Sequence, residues 1–142
     1  NQASFREYIG DKGVRSLDDA RAYLLNGPLA SYERFGFGLF LTLRKADSVP
    51  IGMCGLLQRE SLPDADIGFA FLPQFWRQGF AYESAAAVME YAKSACGLTR
   101  LLAVTNPDNV ASIGLLERLG LRYEGVVQLN PGDEVRLMAR DL

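Results

Sequence analysis

The chain has 142 residues, a net charge of −2 and an isoelectric point near 5.2. Its hydrophobic fraction of 49% and charged fraction of 23% suit one globular core, and no positive field exists to hold nucleic acid or an acidic membrane. Histidine is absent and only Cys54 and Cys96 supply thiols, which excludes His-based triads, His-containing zinc sites and a disulfide framework.

No apolar run approaches the ~20 residues needed to cross a bilayer, and no secretory signal opens the chain. A reduced cytoplasmic compartment is therefore expected. From the N-terminus, Ser16 is placed to cap a helix over Leu17–Asn26, with Asp18 and Asp19 at its positive end and Gly27-Pro28 as its stop. A short helical turn is expected around Ser31–Arg34. Phe37–Arg44 reads as a strand, Ile51–Arg59 as a second and Asp66–Leu72 as a third, joined by short turns into an antiparallel meander. Gly52 and Gly55 inside the second strand indicate a bulge or a close backbone approach.

The pattern then changes period. After Ala81, residues Ala81, Ala85, Val88, Met89, Ala92 and Cys96 fall on one helix face, and Gly97 ends the helix. Leu101–Thr105 is a fourth strand, reached by a helical crossover and so parallel to the third. A helix from about Val110 to Leu119 is capped by Asn109 and stopped at Gly120. Arg122–Leu129 and Glu134–Arg140 close the chain as a hairpin. The expected fold is α/β (α+β): a mixed, mainly antiparallel sheet with helices on its faces.

The junction from Asp66 to Cys96 carries the chemistry. A strand, a tight loop ending Gly79-Phe80-Ala81 and a long helix together aim free N–H groups and the positive end of a dipole at one spot. That spot suits a phosphate, although Gly79 and Ala81 would equally serve a plain tight turn. Neither a Walker loop nor a dinucleotide fingerprint is present.

Trp76-Arg77-Gln78-Gly79-Phe80-Ala81 resembles the Gln/Arg-x-x-Gly-x-Gly/Ala motif of the GNAT superfamily of N-acetyltransferases, and Ala81-Tyr82-Glu83-Ser84-Ala85 is similar to its RimJ/RimL-like, ribosomal-protein branch. A second match lies in Asn106-Pro107-Asp108-Asn109-Val110-Ala111-Ser112 and in Leu115-Leu116-Glu117-Arg118-Leu119-Gly120-Leu121. The resemblance runs from Gly36 to the C-terminus. It implies one GNAT domain over residues 1–142, lacking the family's first strand and with two splayed parallel central strands. It also implies acetyl-CoA as co-substrate, no metal, and an amine acceptor, with the chain acting as monomer or homodimer.

By the same resemblance, Arg77, Gln78, Gly79, Phe80 and Ala81 would cradle the pyrophosphate of coenzyme A. Main-chain groups of Phe71 and Leu72 would pair with the pantetheine arm, and the N–H of Ala70 or Phe71 would polarise the thioester carbonyl. Asn109 would bond the arm, or else cap its helix. Asp66 and Glu60 are the candidate bases, and Ser112 the candidate donor to the leaving thiolate. Trp76 and Phe75 read as core anchors. An α-amine with pKa ~8 costs far less to deprotonate at pH 7 than a lysine amine at ~10.4 and needs only a modest base; the resemblance to the ribosomal-protein branch implies a protein or peptide N-terminus as acceptor. The alternatives are a small amine, such as a polyamine, amino sugar or antibiotic, or a non-catalytic acyl-CoA-binding module. Acceptor contacts are expected within Ile9–Phe37.

Overall fold

A computed structural model describes residues 2–142. The chain opens on a helix that the residue pattern does not announce, α1 (Ala3–Tyr8). Next comes α2 (Leu17–Leu24), where Ser16 Oγ accepts from Asp19 N–H at 3.1 Å and Asp19 Oδ2 accepts from Arg15 N–H at 2.9 Å. Gly27-Pro28 does not stop this helix as expected. It widens into a π turn over Leu25–Leu29 and resumes as α3 (Ala30–Phe35). Pro28 has no N–H for the ladder, and its ring would collide with a carbonyl one α-turn back; the wider turn avoids both problems.

Strands β1 (Leu39–Arg44), β2 (Val49–Leu57) and β3 (Asp66–Phe71) form the antiparallel meander. Helix α4 (Phe80–Ser94) then crosses to β4 (Arg100–Thr105), helix α5 (Val110–Arg118) follows, and the hairpin β5 (Arg122–Asn130) and β6 (Asp133–Asp141) closes the sheet. The six strands lie in the order β1-β2-β3-β4-β6-β5. Among the described residues no strand precedes β1.

Two glycines let the meander close. A Cβ on Gly55 would strike the Gly38 carbonyl, and one on Gly52 would lie 2.7 Å from Phe71 Cδ1 and 2.8 Å from Phe71 Cα. Both positions are close approaches of backbone, as the strand pattern required.

The core lies between the sheet and helices α4 and α5. Ala85, Val88, Met89 and Ala92 pack against Cys54, Leu56, Ile67, Leu101, Ala103 and Met138. A smaller apolar cluster around Leu62, Leu102 and Ala139 lies against Val104 and Leu137 on the opposite face of β4 and β6. The β3–β4 junction has a charged clasp at one end. The Arg100 guanidinium contacts Asp64 at 3.7 Å, Glu124 at 2.5 Å and Asp141 at 3.4 Å, tying the start of β4 to the loop before β3, the bulge of β5 and the end of β6.

Candidate active site

Strands β3 and β4 run parallel but pair at a single register, Asp66 with Leu102. Leu102 N–H donates to the Ala65 carbonyl at 3.0 Å, and beyond that rung the strands part. Main-chain directions alternate along a strand, so one observed bond assigns the rest. Leu72 N–H donates to the Ile51 carbonyl of β2 at 2.9 Å, which points the even-numbered residues of β3 toward β2. Phe69 and Phe71 therefore turn their main chains into the gap, opposite Val104 of β4. The result is a wedge, closed at Asp66 and open at Phe71, roughly 17 Å long at about 3.3 Å per residue.

The open end meets the loop before α4. Pro73–Phe75 form a 3-10 turn, and the chain then enters left-handed conformation twice, at Arg77 (φ 59°) and Gly79 (φ 85°). A non-glycine residue there is uncommon and costs energy that the surroundings must supply. Gly79 is the N-cap of α4, and no side chain caps the helix. The first helical bond runs from Glu83 N–H to the Gly79 carbonyl at 3.0 Å. The N–H groups of Phe80, Ala81 and Tyr82 thus have no helix carbonyl to donate to and project from the positive end of the dipole. Nothing lies within 4 Å of the position a Gly79 Cβ would take, so the approach to these groups is open. Arg118 of α5 stacks 4.7 Å over the Tyr82 ring and adds a cation beside the first turn.

The expected site residues separate into three groups. Arg77, Gln78, Gly79, Phe80 and Ala81 come together as the loop, with Gln78 Nε2 donating to the Gln74 carbonyl at 3.0 Å. Phe71 lines the wedge, but its carbonyl accepts from Trp76 Nε1 at 2.8 Å, leaving its N–H to face the gap. Leu72 is a correction: its N–H is taken by Ile51 and its carbonyl accepts from Phe75 N–H at 2.9 Å, so neither group is available to an arm in the wedge. The same alternation turns Ala70 N–H toward β2 and leaves Phe69, which sequence reasoning passed over, as the second lining residue. Trp76 is also corrected. It is half exposed rather than a core anchor, and its indole stands at the lip of the wedge, bonded to the Phe71 carbonyl.

Asn109 and Ser112 stand together in the first turn of α5, after β4. Asn109 Oδ1 accepts from Ser112 N–H at 3.2 Å, which is its capping role and leaves its side-chain NH₂ as donor. Ser112 is half-buried. At the closed end Asp66 is wholly buried, both carboxylate oxygens within 3.2 Å of Arg59 Nε. Burial pushes its carboxyl above the ordinary 3.8, and the neighbouring Arg59 guanidinium pulls it partly back. Glu60 lies exposed in the turn after β2, and nothing fixes it toward Asp66. Arg59 itself was not foreseen; an Arg seven residues ahead of a strand-opening Asp was the available signal.

The buried Cys54 thiol offers no nucleophile. Burial pushes Cys54 up to about 12, far from a reactive thiolate. Among the described residues no group of three or more acidic, Cys or His side chains is placed to hold a metal. On the sheet face away from α4, a cavity of about 270 Å³ lies between the π turn, α3 and the ends of β1 and β2.

Residues 1–122 match the family described as an acetyltransferase (GNAT) domain. The uncharacterized N-acetyltransferase YoaA of Bacillus subtilis (strain 168) is 32% identical over 123 residues, 85% of this chain and 68% of that protein. A putative GnaT-family acetyltransferase from Bordetella pertussis superposes with a TM-score of 0.80 at 22% identity, over 97% of this chain and 86% of that one. The structure of RimL, a ribosomal L7/L12 alpha-N-protein acetyltransferase in complex with coenzyme A, superposes with a TM-score of 0.77 at 23% identity, over 91% of this chain and 75% of that one. No helix among the described residues is long and apolar enough to cross a membrane.

Proposed function

Because the chain belongs to the acetyltransferase (GNAT) domain family, and so is an acetyl-CoA-dependent acetyltransferase, we propose that its acceptor is the N-terminal amine of a protein or peptide. The observation that carries the coenzyme A site is the single-rung wedge, with an N–H row lacking helix acceptors at its mouth. Such a gap accepts an extended chain along Phe69 and Phe71 while a diphosphate sits against Arg77–Ala81. Each exposed charge–dipole contact is worth about 0.3–1 kcal/mol, so the N–H groups act as a set, with Arg77 and Arg118 as flanking cations.

Acetyl-CoA supplies an acyl group already activated as a thioester. The chain must orient it, polarise its carbonyl, take a proton from the amine and return one to the departing sulfur. Phe71 N–H is the donor that faces the gap, and a preorganised donor of this kind is a strong source of rate. Ser112, on the first turn of α5, is the proton donor to sulfur, and the Asn109 NH₂ steadies the arm. The chain has no histidine to take the proton, and a carboxylate is the acceptor we propose. Asp66 is preferred to Glu60 because burial raises its affinity for protons and Arg59 fixes its position. Because Asp66 is wholly buried, its action as base requires a relayed proton rather than direct contact with the amine.

An N-terminal acceptor is supported by solved relatives named for that chemistry, RimL among them, and by the low cost of deprotonating an α-amine. The free thiols of Cys54 and Cys96 agree with a cytoplasmic setting. Two measurements test the function. Coenzyme A at 100 times its dissociation constant should stabilise the protein by ~2.7 kcal/mol, and a folded protein that ignores coenzyme A refutes the wedge assignment. Acetylation of N-terminal peptides should exceed that of polyamines and amino sugars; the opposite order makes the acceptor a small amine. Ser112→Ala should lower turnover about 100-fold, within the range of general acid catalysis, with coenzyme A affinity unchanged in calorimetry. Equal loss of both would give Ser112 a structural role in the first turn of α5 instead of a chemical one.

A further inference from the structure

The cavity on the open face of the sheet has a wall whose chemistry is one-sided. It is bounded by the π turn on one side and by Leu39 and Leu57 on the other; its polar side chains are Tyr23, Asn26, Ser31, Arg34 and Gln58, and the Ser31 hydroxyl is already spent on the Phe37 carbonyl. No Asp or Glu lines it. Arg34 forms no ion pair among the described residues, and its guanidinium lies 4.9 Å over the Phe35 ring, which orients its plane. An exposed guanidinium without an ion pair, lining the same cavity as two neutral amides, suits an anion, and its planar fork matches a carboxylate.

The cavity is also in the right place. Leu57 Cδ1 and Leu39 Cδ2 are the nearest atoms above Gly68, 2.9 Å and 3.6 Å from where its Cβ would stand. Gly68 lies two residues past the Asp66–Leu102 rung, where the wedge begins to open. The cavity floor therefore covers the stretch of β3 beside which an acetyl group threaded along the wedge would end. At about 270 Å³ it falls just under the usual range of small-molecule pockets, enough for one compact residue. The π turn that forms its wall exists because of Pro28, so the cavity is built into the fold.

We propose that this cavity is the acceptor pocket and that the acceptor presents a carboxylate to Arg34, close to the amine that is acetylated. The proposal rests on the acetyltransferase reading and narrows its substrate class. The carboxylate has two sources, the α-carboxylate of a free amino acid or an acidic side chain next to a peptide N-terminus.

Matched pairs separate these sources: an amino acid against its C-terminal amide, and an N-terminal peptide with Asp at its second position against the same peptide with Asn. The wild-type protein should prefer the carboxylate member of at least one pair by about 10- to 100-fold in kcat/KM, the size of one charge-assisted hydrogen bond. Preference in the first pair alone identifies a small acceptor, and in the second pair alone a peptide. Arg34→Gln should abolish the preference of the carboxylate member over its neutral partner and leave coenzyme A affinity unchanged in calorimetry. Arg34→Lys should restore part of the preference. Normal coenzyme A binding with no carboxylate preference in either pair overturns this proposal alone, as does a preference that survives Arg34→Gln. Loss of both coenzyme A binding and turnover in the wild-type protein overturns it together with the transferase reading.

Discussion

Gly79 serves the loop through two properties that substitution can separate. Its φ of 85° costs an L-residue about 1–2 kcal/mol, and its missing side chain leaves the N–H row open. Gly79→Asn changes the first with little charge, because Asn tolerates the left-handed region better than most residues. Gly79→Asp adds a negative charge where phosphate would sit, and like-charge contact costs several kcal/mol. Calorimetry should find coenzyme A affinity reduced at least about 100-fold by Asp, at 1.4 kcal/mol per tenfold, and much less by Asn. The Asp66–Arg59 pair gives a second, asymmetric result. Asp66 is wholly buried, whereas the Arg59 side chain is 35% exposed. Arg59→Ala strands a buried carboxylate and should cost about 3–5 kcal/mol at pH 7; Asp66→Asn leaves a charge that water reaches and should cost less. The folded protein holds the Asp66 proton more tightly than the unfolded chain does, so stability from this group is present at acid pH. It is lost as pH rises above 3.8 and through the folded value. Removing Arg59 raises that value further, so urea unfolding should find the Arg59→Ala deficit shrinking from pH 7 toward pH 4.

At the scale of elements, Gly52 couples the meander to the wedge. A Cβ there meets the main chain of Phe71 and the Ala70 carbonyl, atoms that cannot swing aside. Gly52→Ala should exceed the ~1–3 kcal/mol of ordinary overpacking, lowering the melting midpoint by at least about 5 °C and weakening coenzyme A binding as Phe71 shifts. Gly68→Ala meets first a flexible Leu57 methyl and should be milder in both readouts. Elements with local signatures were legible from residues alone. Ser16 and Asn109 cap where a side-chain oxygen can reach a first-turn N–H, and α4 buries the apolar face its spacing marks. The stretch before β1 was less so. Gly27-Pro28 carries a stop signal, but the helix has the alternative of a wider turn, and only surrounding structure decides between them. Helix α1 has no side-chain cap and buries no residue, so no periodic pattern marks it. Within the site, Leu72 and Phe69 exchanged roles because strand direction depends on which neighbour a main chain faces, a fact of pairing that composition does not encode. Trp76 reads as core by residue type, yet its exposed indole has a carbonyl to bond at the lip.

At the scale of the molecule, the sheet consists of two three-stranded blocks, β1-β2-β3 and β4-β6-β5, joined by one rung and by the apolar layer beneath α4 and α5. The Arg100 clasp sits on the far side of that rung from the mouth. If the two blocks pivot about the Asp66–Leu102 rung, a change at the clasp should alter the opening at Phe71. Surface ion pairs contribute little to stability one at a time, so the worth of this cluster lies in geometry. Arg100→Gln should barely move the thermal midpoint while coenzyme A affinity falls severalfold and the Phe69 and Phe71 amides exchange with solvent at altered rates. A distant arginine would then govern the aperture of the mouth, and tuning of the bite could come from the hinge without touching the teeth.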